Sequence, residues 1–353
     1  MIDRIMAQPM IGGGKKKPQR QVNIELLRML SMFLVLIIHW NVPINGHVEH
    51  DMVIENPLKA FGIAMTCGLE FIAVNCFMVI SGYFGIRWKW MGFLKFFFQI
   101  AFWSVMVYLV AVAIGFSDWS VARLIERIVN CMAGNWFFMS YAFVYMLAPM
   151  VNAFVEKAGS RMLGGMLLAF ALLQVWYGWI FKAMPEFYDG LHGPNLLFYY
   201  MMGAWLKVTD NKWTKLNKFC DLGVYVGIAL LLAVACMVTR YMGATKDVFS
   251  YISPMAMMQT MFLFLFFKKL KVSDNDIFQK YVLFLSSSVF AVLLLHSWEA
   301  AGWYGMVHRW IYDNLPMPAV WSLCYICVFF VVACCLDKVR LFVWNRISVK
   351  CFK

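Results

Sequence analysis

Apolar residues fill this chain in long runs, and the polar positions between them fall into short clusters. Ten runs reach or approach the length that crosses a bilayer, about 20 residues at 1.5 Å rise. They lie near 22–42, 58–84, 91–115, 135–155, 161–181, 194–208, 218–241, 250–267, 281–300 and 317–343, the sixth being short for a span. The pattern predicts an all-α fold, a polytopic integral membrane helix bundle of about ten transmembrane helices. Residues 1–21, with Gly12-Gly13-Gly14 and Lys15-Lys16-Lys17, read as a flexible basic lead. Residues 22–345 read as one transmembrane domain and 346–353 as a short tail. No internal repeat interrupts this plan. The first run is too long, and too polar at both ends, for a cleaved secretory signal.

Composition sharpens the picture. Of 353 residues, 63% are apolar and 14% charged, against roughly half and a quarter in soluble domains, which excludes an ordinary cytosolic enzyme or a disulfide scaffold. A net charge of +12 would suggest nucleic acid in a soluble protein. Sorted onto the ten-segment frame, however, 23 of the 31 Lys and Arg fall on one side and seven on the other, with Arg28 inside the first segment. The positive-inside rule then places both termini in the cytoplasm, and the surplus reports topology, with membrane lipid and not nucleic acid as the partner. Fourteen of the 15 Trp lie near segment ends, as interfacial belts do; only Trp103 is mid-segment. Most of the ten Cys lie within segments, so no extracellular disulfide framework is expected, and Cys324-x-x-Cys327 reads as small buried hydrophobes. The cluster His47-Val-Glu49-His50-Asp51 reads as a solvated loop, and no metal site is expected.

Ionisable residues inside a bilayer are costly and so mark function. The first segment is densest: Glu25 and Arg28, then His39. Eleven residues separate Arg28 from His39, a rotation about 20° past three turns, so both lie on one helix face roughly 16 Å apart. Glu25 can pair with Arg28 at i, i+3. Two readings stand at this point: a structural ion pair with an interfacial histidine, or the two ends of a site.

The next segment ends in Phe77-Met-Val-Ile-Ser81-Gly82. Arg-x10-His followed by Phe-x-x-x-Ser-Gly resembles the acyltransferase-3 family of integral-membrane acyltransferases. Trp136-Phe-Phe with Tyr145-Met-Leu-Ala-Pro149, Phe198-Tyr-Tyr-Met-Met-Gly203 and Val292-Leu-Leu-Leu-His296 are similar too. The resemblance covers roughly residues 22–340. It implies a stand-alone enzyme of the cytoplasmic (inner) membrane. Its reaction would move an acyl group, commonly acetyl, from acyl-CoA to a hydroxyl of a surface or exported glycan. The family's essential pair maps onto Arg28 and His39, with His39 as general base or covalent nucleophile. Where relatives carry Arg-x-x-Arg after the Ser-Gly element, this chain has Arg87, Lys89 and Lys95; these three and Ser81 are the candidate donor grip, with the spacing changed.

Supporting or acceptor-side candidates are Glu70, to orient a base or pair with Arg28, the following Asn75, His296 with Glu299, and Trp136 as a sugar-stacking face or belt residue. A transporter or flippase of a glycan or lipid-linked intermediate is the main rival, against which stands the lack of paired Gly/Pro-broken helices in corresponding halves. A non-catalytic subunit of a polysaccharide assembly complex is the third reading.

Overall fold

A computed structural model describes residues 20–244, 248–273 and 275–351; the expected basic lead, save its last two residues, lies outside the described residues. The helices in chain order are α1 (Val22–Asn45), α2 (His50–Glu55), α3 (Pro57–Glu70), α4 (Ala73–Phe84), α5 (Trp90–Ala113), α6 (Val121–Val129), α7 (Trp136–Lys157) and α8 (Ser160–Leu173). They continue as α9 (Gly193–Val208), α10 (Lys218–Tyr241), α11 (Pro254–Lys268), α12 (Asp276–Ser286), α13 (Val289–Leu295), α14 (Glu299–Asn314) and α15 (Pro318–Cys351). Among the described residues there is no strand. The protein is a polytopic helical bundle.

Every apolar run is helical, but not every run is a straight span. Among the described residues, seven helical segments are long and apolar enough to cross a membrane, or eight if the pair α12–α13, bent by 41°, counts as one. Helices α9 and α11, of 16 and 15 residues, occupy the sixth and eighth runs and are shorter than a perpendicular crossing needs. The connections near 116–134 and 300–316 hold helices α6 and α14. Helix α15 continues through residues 346–351, for 34 residues in all, roughly 50 Å. Of the Cys side chains described on α15, Cys334 is buried, while Cys324, Cys327 and Cys335 face outward; a thiol is apolar enough to sit against lipid.

Local chemistry explains the element ends. Pro57, Pro194, Pro254 and Pro318 stand in the first turns of α3, α9, α11 and α15, where their missing N–H costs nothing. Side chains of Asn135, Asn217, Ser253 and Asn275 accept from backbone N–H groups at the starts of α7, α10, α11 and α12. The second run breaks at Phe71–Ile72, between α3 and α4. Carbonyls at such a break need new partners away from water. Gln259 Nε2 donates to Gly68 O at 2.8 Å and Tyr225 Oη to Leu69 O at 2.6 Å.

Helices α4 and α9 approach backbone to backbone. A Cβ on Gly82 would stand 1.8 Å from Tyr200 O, and one on Gly203 would stand 2.0 Å from Val79 O. This crossing joins the Ser81-Gly82 element to the Phe198–Gly203 stretch, which lie more than a hundred residues apart in the chain. Beside it, Tyr200 Oη donates to Asn152 Oδ1 (2.7 Å) and accepts from Ile86 N (2.9 Å), and Asn152 Nδ2 donates to Ile86 O (2.7 Å). The closed ring pins the loop after α4. Tyr200→Phe breaks two of its three bonds and is expected to cost about 1–3 kcal/mol, since the buried amide of Ile86 loses its acceptor; thermal unfolding of the variant in detergent checks it.

Candidate functional site

A cavity lies along α1 inside the bundle, about 1060 Å³ with the open solvent at its mouth counted in. Arg28 and His39 both line it, as their shared helix face requires. At the Arg28 end the wall is cationic and hydroxylic: Arg28 from α1, Lys95 from α5, Arg340 from α15, with Ser81 and Tyr141. At the other end stand His39, Glu70, Asn135, Trp136 and Tyr251. The wall between them is mainly apolar, with Met32, Val35, Phe77, Phe96 and Phe290 prominent, though Gln99, Ser286 and Ser287 also line the cavity.

The cationic end is built from two matching pairs. Glu25 Oε2 lies 3.5 Å from Arg28 Nη1, and Arg20 Nε lies 3.8 Å from Glu25 Oε1; the expected i, i+3 pair forms. Asp337 and Arg340 repeat that spacing on α15, with a bidentate contact from Arg340 Nε (2.7 Å) and Nη2 (2.8 Å) to the two carboxylate oxygens. Trp103 Nε1 donates to Asp337 Oδ1 at 3.2 Å, which gives the one mid-segment tryptophan its polar partner. Arg340 and Asp337 are 2% and 0% exposed. Arg340 Nη1, unused by Asp337, has no hydrogen-bond partner among the described residues.

Sorting cations by loop and tail misplaces two of them. Lys95 and Arg340 lie inside helices and are buried, because α5 begins at Trp90 and α15 runs past residue 340. Arg340 is therefore the main site residue that sequence reasoning missed. The signal was present as Asp337-x-x-Arg340 at the end of an apolar run, the same acid-x-x-Arg spacing as Glu25-x-x-Arg28.

At the far end, His39 Nδ1 and His296 Nε2 are 2.7 Å apart, and His296 Nδ1 lies 2.5 Å from the Val292 carbonyl. His296 is 3% exposed, whereas His39 presents an accessible ring to the cavity. His296 thus stands behind His39, off the cavity wall. Pro43, one turn further along α1, has no N–H for the His39 carbonyl. Glu70 does not pair with Arg28, which lies at the other end; its Oε1 accepts from Asn41 Nδ2 at 3.1 Å, and Asn45 Nδ2 donates to Asn41 Oδ1 at 3.0 Å. Glu70 Oε2 is buried and has no partner among the described residues. Trp136 lines the cavity and packs 6.2 Å, centroid to centroid, from Tyr251, while Asn135 beside it doubles as the cap of α7.

Several expected residues do not join this cavity wall. Asn75 is fully buried elsewhere in the bundle, Lys89 is exposed on the loop before α5 and Arg87 is half-buried on the same loop. Glu299 opens α14, and its side chain lies outside those described. Among the described residues no three of His, Cys, Asp and Glu converge as metal ligands would. The arrangement can hold an anion at one end, an apolar chain in the middle and a proton acceptor at the other.

No curated protein and no solved structure is significantly similar to the chain. The acyltransferase-3 family model, described as an acyltransferase domain, matches residues 21–338 and so takes in both ends of the cavity except Arg340. With nearly its whole length covered by that match, the chain belongs to the acyltransferase-3 family of membrane acyltransferases.

Proposed function

We propose that the protein transfers an acyl group, acetyl in the simplest case, from cytoplasmic acyl-CoA to a hydroxyl of a cell-surface or exported glycan or its precursor. The observation that carries this reading is the single cavity with cations at one end and an accessible histidine at the other. CoA is a polyanion with a long, mostly neutral pantetheine arm. Arg28, Lys95 and Arg340 suit its phosphates, the apolar middle suits the arm, and the roughly 16 Å from Arg28 to His39 is comparable to the arm's length. The thioester then lies beside His39, which takes the proton of the acceptor hydroxyl as its oxygen attacks the thioester carbonyl. Collapse of the tetrahedral intermediate breaks the C–S bond, and the thiolate recovers the proton as CoA–SH. Trp136 and Tyr251 offer aromatic faces to a sugar at the mouth, where Glu70 can accept from a second hydroxyl. In this reading the Arg28 end opens to the cytoplasm of an inner membrane with both termini inside.

The test uses the full chain, purified in detergent, with labelled acetyl-CoA and glycan extracted from cells lacking the gene. Label transfer to glycan is expected. Vectorial movement of a glycan intermediate in proteoliposomes, with no thioester consumed, would overturn the reading in favour of a transporter. The grip on the donor has its own test. Arg340→Gln should raise the KM for acetyl-CoA about tenfold or more, yet leave the use of S-acetyl-N-acetylcysteamine, which lacks the nucleotide, unchanged. Equal losses for both donors would count against phosphate binding by Arg340.

A further inference from the structure

The reading of His39 as a base leaves open which nitrogen carries the lone pair, and the hydrogen bonds of His296 answer that. A backbone carbonyl can only accept, so His296 Nδ1, 2.5 Å from Val292 O, must carry a proton. In the neutral ring Nε2 is then an acceptor. Among the described residues, the group that bonds it is His39 Nδ1 at 2.7 Å, which must donate. Neutral His39 is thereby held with its proton on Nδ1 and its lone pair on Nε2. No described residue bonds that Nε2, and the ring is open to the cavity.

We infer that His296 is a positioning residue that locks His39 in the Nδ1–H form, which aims the basic Nε2 at the acceptor hydroxyl. This rests on the proposed acyl transfer, and it extends the reading to a three-part chain of Val292 carbonyl, His296 and His39. The logic is that of a base oriented by a third group, with a neutral imidazole in the place a carboxylate often takes. When His39 Nε2 accepts the hydroxyl proton, the ring becomes a cation. Its bond from Nδ1–H to His296 Nε2 then becomes charge-assisted and stronger. The proton leaves from Nε2 to the thiolate, so His296 ends each turnover as it began. The location of His296 serves this: it follows the last residue of α13, where its ring and the Ser297 hydroxyl (2.6 Å to Leu293 O) satisfy carbonyls of the final turn.

Two substitutions and one spectroscopic measurement test the chain. His296→Leu removes the acceptor for His39 Nδ1–H, and His296→Gln supplies an amide oxygen in its place. In protein that melts as the wild type does, His296→Leu should lower kcat about 10- to 100-fold with both KM values little changed, and His296→Gln should recover much of the loss. In protein with ¹⁵N-labelled histidine, wild type should show His39, assigned by loss of its signals in His39→Gln, protonated on Nδ1. His296→Leu should shift it toward the Nε2–H form that dominates in free histidine. Wild-type His39 protonated on Nε2, or unchanged kcat in His296→Leu, overturns the inference. If His296→Leu fails to fold, the His296→Gln turnover and the wild-type spectrum decide it. Because the spectrum needs no turnover, absence of acyl transfer in the wild type would strike the proposed function separately from the tautomer assignment.

Discussion

His39→Ala is expected to reduce acyl transfer by about 10²- to 10⁴-fold, the usual worth of a positioned general base, with thermal stability and donor affinity close to wild type. The separation of effects follows from the geometry. His39 presents an open ring to the cavity, so truncation removes little packing and loses one bond, to His296. The cations that suit the donor lie roughly three helical turns away, and binding of acetyl-CoA, measured by calorimetry, should persist. A variant with normal kcat would remove His39 from the chemistry. A variant that binds no donor would mean that the site is organised differently from end to end.

Gly82→Ala should be the most damaging small change in the fold. Its added methyl would sit 1.8 Å from Tyr200 O and 2.6 Å from Tyr200 C, backbone atoms that cannot rotate away. Helices α4 and α9 must separate by more than 1 Å, and α9 then carries Tyr200 away from Asn152 and Ile86. A cost of about 3 kcal/mol is expected, at the upper end for overpacking, seen as a lower melting temperature and loss of monodisperse protein in detergent. Gly203→Ala meets the same crossing from the other side, so the double variant should cost less than the sum of the two. Ser81→Ala, next in sequence, leaves the crossing itself intact: it removes the bond to the Phe77 carbonyl (2.8 Å) and the contact with Tyr141, and should melt well above Gly82→Ala. Additive glycine effects, or a Ser81→Ala variant as unstable as Gly82→Ala, would show that the crossing is not what those glycines are for.

Much of this was legible in the chain itself. Apolar runs gave the helices, because a membrane allows only segments that satisfy their own backbone. Helical periodicity put Arg28 and His39 on one face, and the cavity runs along that face. The pairing of Glu25 with Arg28 followed from i, i+3 spacing. Lys95 and Arg340 were harder to place, since a cation near a segment end looks the same whether it points to water or back into a cavity. Depth depends on where the helix starts and what packs beside it, and neither is written locally.

The sequence alone determined the class of fold, the order of its helices and the axis of the site, since these depend on local hydrophobicity and a 3.6-residue period. The tertiary structure decided which face of each helix meets the cavity. It set His296 behind His39 across 257 residues of chain, turned Arg340 inward against Asp337, and gave Glu70 to Asn41. These outcomes share one physical cause. A hydrogen bond between distant segments is selected by the packing of whole helices and by the cost of leaving a buried polar group unpaired, and no spacing within one segment records it.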